Sequence, residues 1–325
     1  MEILTEEESI KNYLPIFATE AYLRALSDEY GWFMAGKYIL PYIIKKKNFL
    51  NIMYFTNETI VLGETASIIE EEKQFLNEVV MQTRKMGVHI IAQPQTNVVF
   101  FTYPEGSLYA PFGSYRIDLT QKEEDLFSKM HSKHRNVVRK AERDGVKILS
   151  GPELCEECCQ LINETMLRQK LPQHDKEQIL RFKKELKDNL AFYVARHEGI
   201  AQGAAIIPWN EKAAYYLYGG SRERPHTGAI NLMHWRIMLE MKARGVKVYD
   251  LMGARLNPVK DSKYEGIQMF KERFGGELKR GYLWKYPIHH FHYNLYRIMT
   301  TLRRYVKGGQ YSGDIIDQEK RCDEK

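Results

Sequence analysis

The chain has 325 residues, 44% hydrophobic and 28% charged, with a formal net charge of +6 and four cysteines. That is the composition of a soluble globular protein with enough apolar content for two modest cores or one large one. No run approaches the ~18 consecutive apolar residues of a spanning helix, and four cysteines are too few for a disulfide framework.

The first residues, "MEILTEEES", are acidic with no apolar run after them, so no signal peptide is expected and the default compartment is the cytoplasm. "FATEAYLRALSDEYG" reads as a helix ended by Gly31. Two strand-like runs follow, "WFMAGKYILPYII" and "NFLNIMYF", then a long amphipathic helix, "SIIEEEKQFLNEVVMQTRKMG", closed by Gly87. "VHIIAQP", "NVVFFTYP" and "SYRIDLT" read as strands.

Next comes a basic stretch, "SKHRNVVRKAERDGV". On one helix, Leu126, Phe127, Met130, Val137, Val138 and Ala141 share a face, while Arg135, Arg139 and Arg143 form a row on the opposite side. Successive arginines in such a row rise about 6 Å along the axis, comparable to phosphate spacing on a nucleic-acid strand. The row fits an electrostatic guide for phosphates, or simply a solvated helix face.

A second, similar order then begins. "VKIL" is strand-like, "ELCEECCQLINETMLRQK" and "KEQILRFKKELKDN" are helical, and "LAFYVARHEGIAQGAAIIPWNEKAAYYLYGG" holds three strands. After these come a helix in "GAINLMHWRIMLEMKARG", a strand in "VKVYDLMG", a short helix in "GIQMFKERFG", a strand in "GELKRGYLWKYP" and a closing helix at 288–306. Helices interrupt strand groups twice, which predicts an α/β protein with mixed sheets in two domains. The boundaries expected are 1–145, completed by the helix 288–306, then 146–287, with 307–325 a flexible tail.

The ordered set "RIDLTQKEEDLFSKMHSKHRNVVRKAERDGVKI", "NETMLRQK", "AFYVARHEGIAQGAAIIPWNEKAAYYLYGGS", "ARGVKVYDLMG" and "GIQMFKERFGGEL" resembles the Fem family of peptidoglycan-bridge aminoacyltransferases. The likeness spans about residues 115–280. It implies two tandem acetyltransferase-like (GNAT) domains. It also implies transfer of an amino acid from aminoacyl-tRNA to an amine on the stem peptide of a nucleotide- or lipid-linked peptidoglycan precursor. No charged heptad insertion is present, so the compact form without a coiled-coil arm is expected. The N-terminal helix carries Tyr22 where family members that use nucleotide-linked precursors place a tryptophan, and it lacks their phosphate-binding lysine.

Transfer from an ester to an amine needs alignment, loss of an amine proton and stabilisation of a tetrahedral oxyanion, with no enzyme nucleophile and no cofactor. The resemblance points first to Lys271 in the catalytic channel, its ammonium beside the developing charge, with Phe270 as a wall. Asp250, at a strand end where α/β clefts open, would orient Lys271 or the acceptor amine, or cap the loop that follows. Arg168, in "TMLRQK", resembles a diphosphate-gripping arginine, since a guanidinium fork binds two oxygens. Tyr216 and Tyr218 alternate on one strand and would line the channel, or else serve as core tyrosines. Gly228 opens a helix where a GNAT enzyme places its pyrophosphate loop, but the surrounding glycine pattern fits coenzyme A poorly.

The three cysteines of "CEECC" and the histidines of "HHFH" form no complete metal set, so no metal is expected. The closing helix joins apolar residues to Arg297, Arg303, Arg304 and Lys307, which suits peripheral contact with the inner membrane surface or packing on the first domain. A rival reading is an N-acyltransferase acting on amino sugars or polysaccharide precursors, with acyl-CoA or an acyl carrier protein as donor. A third is a non-catalytic adaptor for nucleic acid or membrane.

Overall fold

The computed structural model describes residues 1–63, 68–258, 260–306 and 313–323. The first half runs β1 (Glu2–Leu4), α1 (Glu20–Leu26), β2 (Glu29–Ala35), β3 (Tyr38–Lys47), β4 (Leu50–Phe55), β5 (Ile60–Val61), α2 (Ile69–Lys85), β6 (Ile90–Ile91), β7 (Leu108–Asp118), α3 (Glu123–Lys129) and α4 (Ser132–Arg143). It continues β8 (Lys147–Ser150), α5 (Cys155–Arg168), α6 (Lys176–Leu186), β9 (Leu190–His197), β10 (Ile200–Pro208), β11 (Ala213–Tyr215), β12 (Tyr218–Ser221) and α7 (Ala229–Ala243). It closes with β13 (Val248–Asp250), α8 (Lys263–Glu272), β14 (Glu277–Lys285), α9 (His290–Val306) and α10 (Ile315–Asp323).

Two compact units result: Met1–Gly113 with Gly253–Leu256 and Lys279–Lys325, and Ser114–Met252 with Asn257–Leu278. In the first, the sheet β1-β2-β3-β4-β6 has β5 paired to β3. Strand alternation builds two cores. Phe33, Leu40, Tyr42 and Ile44 meet Phe75, Leu76, Val79 and Val80 of α2. Trp32, Ile39 and Ile43 meet Leu14, Ala18 and Leu23. β3 is therefore covered on both faces and reads as an almost unbroken apolar run.

In the second unit, β12-β10-β9-β8 form one antiparallel sheet. β11 pairs in parallel with β13, which pairs with the second half of β7. The chain leaves one sheet and joins the other at Tyr216–Leu217: Tyr215 is opposite Asp250, whereas Tyr218 is opposite Ile206. The stretch expected to hold three strands thus holds four.

Several expectations change. Gly31 ends no helix but lies inside β2, where an added Cβ would sit 2.7 Å from the Leu4 carbonyl of β1. "NVVFFTYP" forms no strand beyond one bridge, Phe100 to Tyr282. The face expected on one helix, from Leu126 to Ala141, is divided between two, because the Arg273 carbonyl takes the backbone N–H of His131 (2.9 Å) at a break between α3 and α4. The division between units falls at Gly113/Ser114 rather than after 145, since α4 packs on α7. The expected tail, 307–325, is helical over Ile315–Asp323 among its described residues. Ile316 is buried there, and Asp314 and Asp317 both pair with the buried Lys285.

Candidate active site

α8 brings Lys271 and Phe270 into the second unit. Ser262 accepts the Glu265 N–H and Glu265 reaches back to the Asp261 N–H (2.6 Å), a reciprocal cap that fixes where the helix starts. At the other end Gly275 has φ +79, and an added Cβ there would lie 2.6 Å from the Lys129 carbonyl. The helix is therefore seated against the end of α3.

Lys271 is half-buried, and its ammonium donates to the carbonyl of Met252. Met252 is a left-handed non-glycine residue, φ +55, a conformation that costs of order 1 kcal/mol and needs outside support. Asp250 supplies it. This carboxylate is 1% exposed. It accepts the Met252 N–H (2.7 Å) and the Ser114 hydroxyl (2.5 Å) on one oxygen and Arg116 Nε (2.8 Å) on the other. Burial pulls Lys271 down to about 8, with the negative charge of Asp250 opposing the shift.

Two histidines join this cluster without any signal in the sequence beyond a lone imidazole on an apolar helix face. His234 of α7 is fully buried, its Nδ1 2.9 Å from the Tyr249 hydroxyl and its Nε2 without a hydrogen-bond partner. His134 of α4 is buried with Nδ1 unpartnered. Phe270 lies 5.3 Å from the His134 ring and 5.7 Å from the His234 ring, closing an aromatic group with Phe274. Burial, followed by neighbouring positive charge, lowers His134 to about 4 and His234 to about 3. Both rings are neutral at pH 7.

Tyr216 belongs to the same group: its ring is 4.5 Å from His234 and its N–H donates to the Asp250 carbonyl (2.9 Å). Tyr218 does not share that wall. Its ring packs 4.1 Å from His174, because the strand divides between the two residues. Burial pushes both phenols up to about 12.

The remaining candidates lie elsewhere. Arg168 is exposed and donates to the Ser221 carbonyl (2.9 Å), tying α5 to β12. Gly228 caps α7 at φ +85, and an added Cβ would lie 2.1 Å from the Val137 carbonyl. Its role in the structure is close approach of α4 and α7. The arginine row is unequal. Arg135 caps the carbonyls of Ser128 and Met130 at the end of α3, Arg139 lies over the Phe127 ring at 5.1 Å, and Arg143 is exposed. Cys155, Cys158 and Cys159 are buried, and burial raises all three thiols. Among the described residues no group of His, Cys, Asp and Glu is arranged to hold a metal, and no helix is long and apolar enough to cross a membrane.

Residues 173–301 match the FemAB family model. Lipid II:glycine glycyltransferases of Staphylococcus haemolyticus (strain JCSC1435) and Staphylococcus saprophyticus are each 33% identical over 93 residues, 28% of this chain. The matched stretch spans 22% of each of those relatives. The crystal structure of FemX superposes with a TM-score of 0.68 at 14% identity, covering 91% of this chain and 99% of FemX. A C-terminal domain (DUF2156) from Agrobacterium fabrum gives 0.53 at 16% identity, covering 83% and 90%. The Fem resemblance read from the motifs stands on these matches, and the fold is the mixed α/β fold of FemX.

Proposed function

We propose that the chain is an aminoacyltransferase of the Fem type, forming an amide between an amino acid carried as an ester and an amine of a peptidoglycan precursor. The observation that carries this reading is the half-buried Lys271, its ammonium held on the Met252 carbonyl beside Asp250. Family likeness supports the substrate class, since the curated relatives are named for glycine transfer involving lipid II.

The acceptor amine attacks the ester carbonyl and a C–N bond forms. The carbonyl oxygen gains negative charge, which the Lys271 ammonium offsets in a site partly shielded from water. Collapse breaks the ester C–O bond, and the proton given up by the amine ends on the departing ribose oxygen. No side chain becomes acylated. Asp250 acts as a positioning residue, since its oxygens are occupied by Ser114, Arg116 and the Met252 N–H. Phe270 and Tyr216 wall the site with apolar surface.

Aminoacyl-tRNA is the donor we assign. At Gly228, where a coenzyme A pyrophosphate would sit, α4 comes so close that even an added Cβ would lie 2.1 Å from the Val137 carbonyl, which argues against room for a phosphate there. Arg139 and Arg143 remain exposed on α4 to meet a phosphate backbone, and Arg168 is also exposed to solvent. The test offers purified protein labelled aminoacyl-tRNA, acyl-CoA and acyl carrier protein with lipid-linked and nucleotide-linked precursors. RNase-sensitive transfer to a precursor amine supports the reading; transfer only from a thioester refutes it. In parallel, Arg139→Glu/Arg143→Glu should reduce the salt slope of tRNA binding by about two counterions.

A further inference from the structure

α9 is docked the wrong way round for a helix serving only its own core. It packs on the first unit through Tyr293 and Tyr296, which meet Leu50, Ile52, Ile90 and Ala92. Phe291, Ile298 and Leu302, spaced i, i+7 and i+11 and therefore in one line along the helix, are turned outward at 75%, 56% and 58% exposure. Phe49, 55% exposed in the turn between β3 and β4, extends the stripe, its ring 6.4 Å from that of His292. Ordered side chains this large seldom face water together without a partner.

The charge along α9 has one sign. From residue 278 to residue 313 the sequence contains no aspartate or glutamate. Arg297 on α9 and Lys45 beside the Phe49 turn are exposed, with Lys47, on the same face of β3 as Lys45, half-buried over the Tyr296 ring at 5.5 Å. Lys46 points to the other face of β3, where it meets Glu29 at 2.5 Å. Apolar side chains in a line, rimmed by cations, match the acyl–headgroup boundary of a bilayer with anionic lipids.

We propose that α9 and the Phe49 turn form a docking surface for an anionic lipid bilayer, with Phe291, Ile298, Leu302 and Phe49 entering the interface and Lys45 and Arg297 meeting lipid phosphates. This inference goes beyond the transfer reaction, because vesicle binding is read without donor or acceptor. A chain held in this way meets a lipid-linked substrate in two dimensions.

The test is co-sedimentation of the full chain with vesicles of phosphatidylglycerol and phosphatidylcholine, and with phosphatidylcholine alone. Wild type should bind the anionic vesicles, more weakly as salt rises, and bind the zwitterionic ones far less. Phe291→Glu/Ile298→Glu should lower the partition coefficient at least about ten-fold. Lys45→Glu/Arg297→Glu should lower it on anionic vesicles while leaving the residual binding to phosphatidylcholine in place. Circular dichroism and the melting temperature, unchanged in both exposed-site variants, separate lost docking from lost folding. Unchanged partition of the apolar double variant overturns the proposal. So does a wild-type dimer in sedimentation equilibrium that this variant dissolves, since the stripe would then cover a second copy of the chain. Amide transfer to a water-soluble precursor is expected to survive Phe291→Glu/Ile298→Glu, so failure of docking and failure of the catalytic reading give different results.

Discussion

Replacing Lys271 by methionine should make the protein more stable and less active at once. Lys271 titrates at about 8 in the folded chain against an ordinary 10.5. That gap corresponds to about 3 kcal/mol spent at pH 7 on keeping a charged group in its seat. The sign follows from proton counts. Below pH 8 both the folded and unfolded chains carry the proton and the full penalty applies. Between 8 and 10.5 the unfolded chain binds more protons, so folding stability rises with pH and the penalty disappears. Lys271→Met, nearly isosteric and uncharged, recovers this energy less about 1 kcal/mol for the lost bond to the Met252 carbonyl. Denaturant titrations should show the variant about 1–3 kcal/mol more stable at pH 7, the difference roughly halved by pH 9. Turnover should fall about 10²- to 10³-fold, as for loss of an oxyanion donor. Wild-type kcat should decline above pH 8 as the ammonium is lost, and the residual activity of Lys271→Met should lack that limb. Lys271→Arg should carry the limb beyond the measurable range, since guanidinium keeps its proton. A Lys271→Met protein of unaltered turnover, or one that keeps the alkaline limb, refutes the reasoning.

Asp250→Asn leaves Arg116 facing a neutral amide and weakens the hold on Met252. A loss of about 3 kcal/mol is expected in denaturant titration, with a fall in kcat rather than in acceptor binding. His134 and His234, lowered to about 4 and about 3, stay neutral in the fold while the unfolded chain protonates them near 6.5. Stability should therefore be lost as pH falls below 6.5, by about 3 kcal/mol for each ring at pH 4. Their imidazole NMR resonances should not move between pH 8 and pH 5, and His234→Phe should remove its share of the acid sensitivity. Gly228→Ala places a Cβ 2.1 Å from the Val137 carbonyl at a φ of +85 and should cost at least about 2 kcal/mol in thermal or chemical melts, with α4 and α7 forced apart.

What the sequence disclosed depends on how local the cause is. α2 is set by its own apolar period and ends where Gly87 turns left-handed, and both are written in consecutive residues. The break between α3 and α4 carries no glycine or proline at Met130–His131; a carbonyl from Arg273, far along the chain, makes it. Gly31 looked like a helix terminator because a glycine that admits a neighbouring strand is identical in sequence to one that ends a helix. His234 sits in "AINLMHWRIM", where periodicity marks a core position and says nothing of the aromatic cluster around it. Lys271 came from motif likeness, but its seat is a left-handed Met252, a conformation no composition rule assigns to methionine. The arginine row was periodic as expected, yet Arg135 is drawn off to cap α3, which depends on the tertiary break.

The buried Lys285, set beside Lys271, shows why the Lys271 seat is built indirectly. Lys285 meets Asp314 (2.7 Å) and Asp317 (2.6 Å) directly, and these carboxylates raise its affinity for the proton despite burial. Lys271 has a carboxylate nearby as well, but Asp250 spends its oxygens on Ser114, Arg116 and the Met252 N–H, and acts on the lysine only through space. Desolvation then dominates and leaves the ammonium easily polarised near neutral pH, a state suited to answering transient charge. Arg116 is the cation that holds the second oxygen of Asp250. In Arg116→Ala, one oxygen of Asp250 loses its cation, and the carboxylate's field on Lys271 is no longer partly cancelled. The alkaline limb of kcat should move upward from about 8, towards the behaviour of Lys285, while Lys271→Met/Arg116→Ala shows no limb to move. A limb that stays at 8 in Arg116→Ala would mean that desolvation alone sets the lysine, and that Asp250 serves the loop and not the charge.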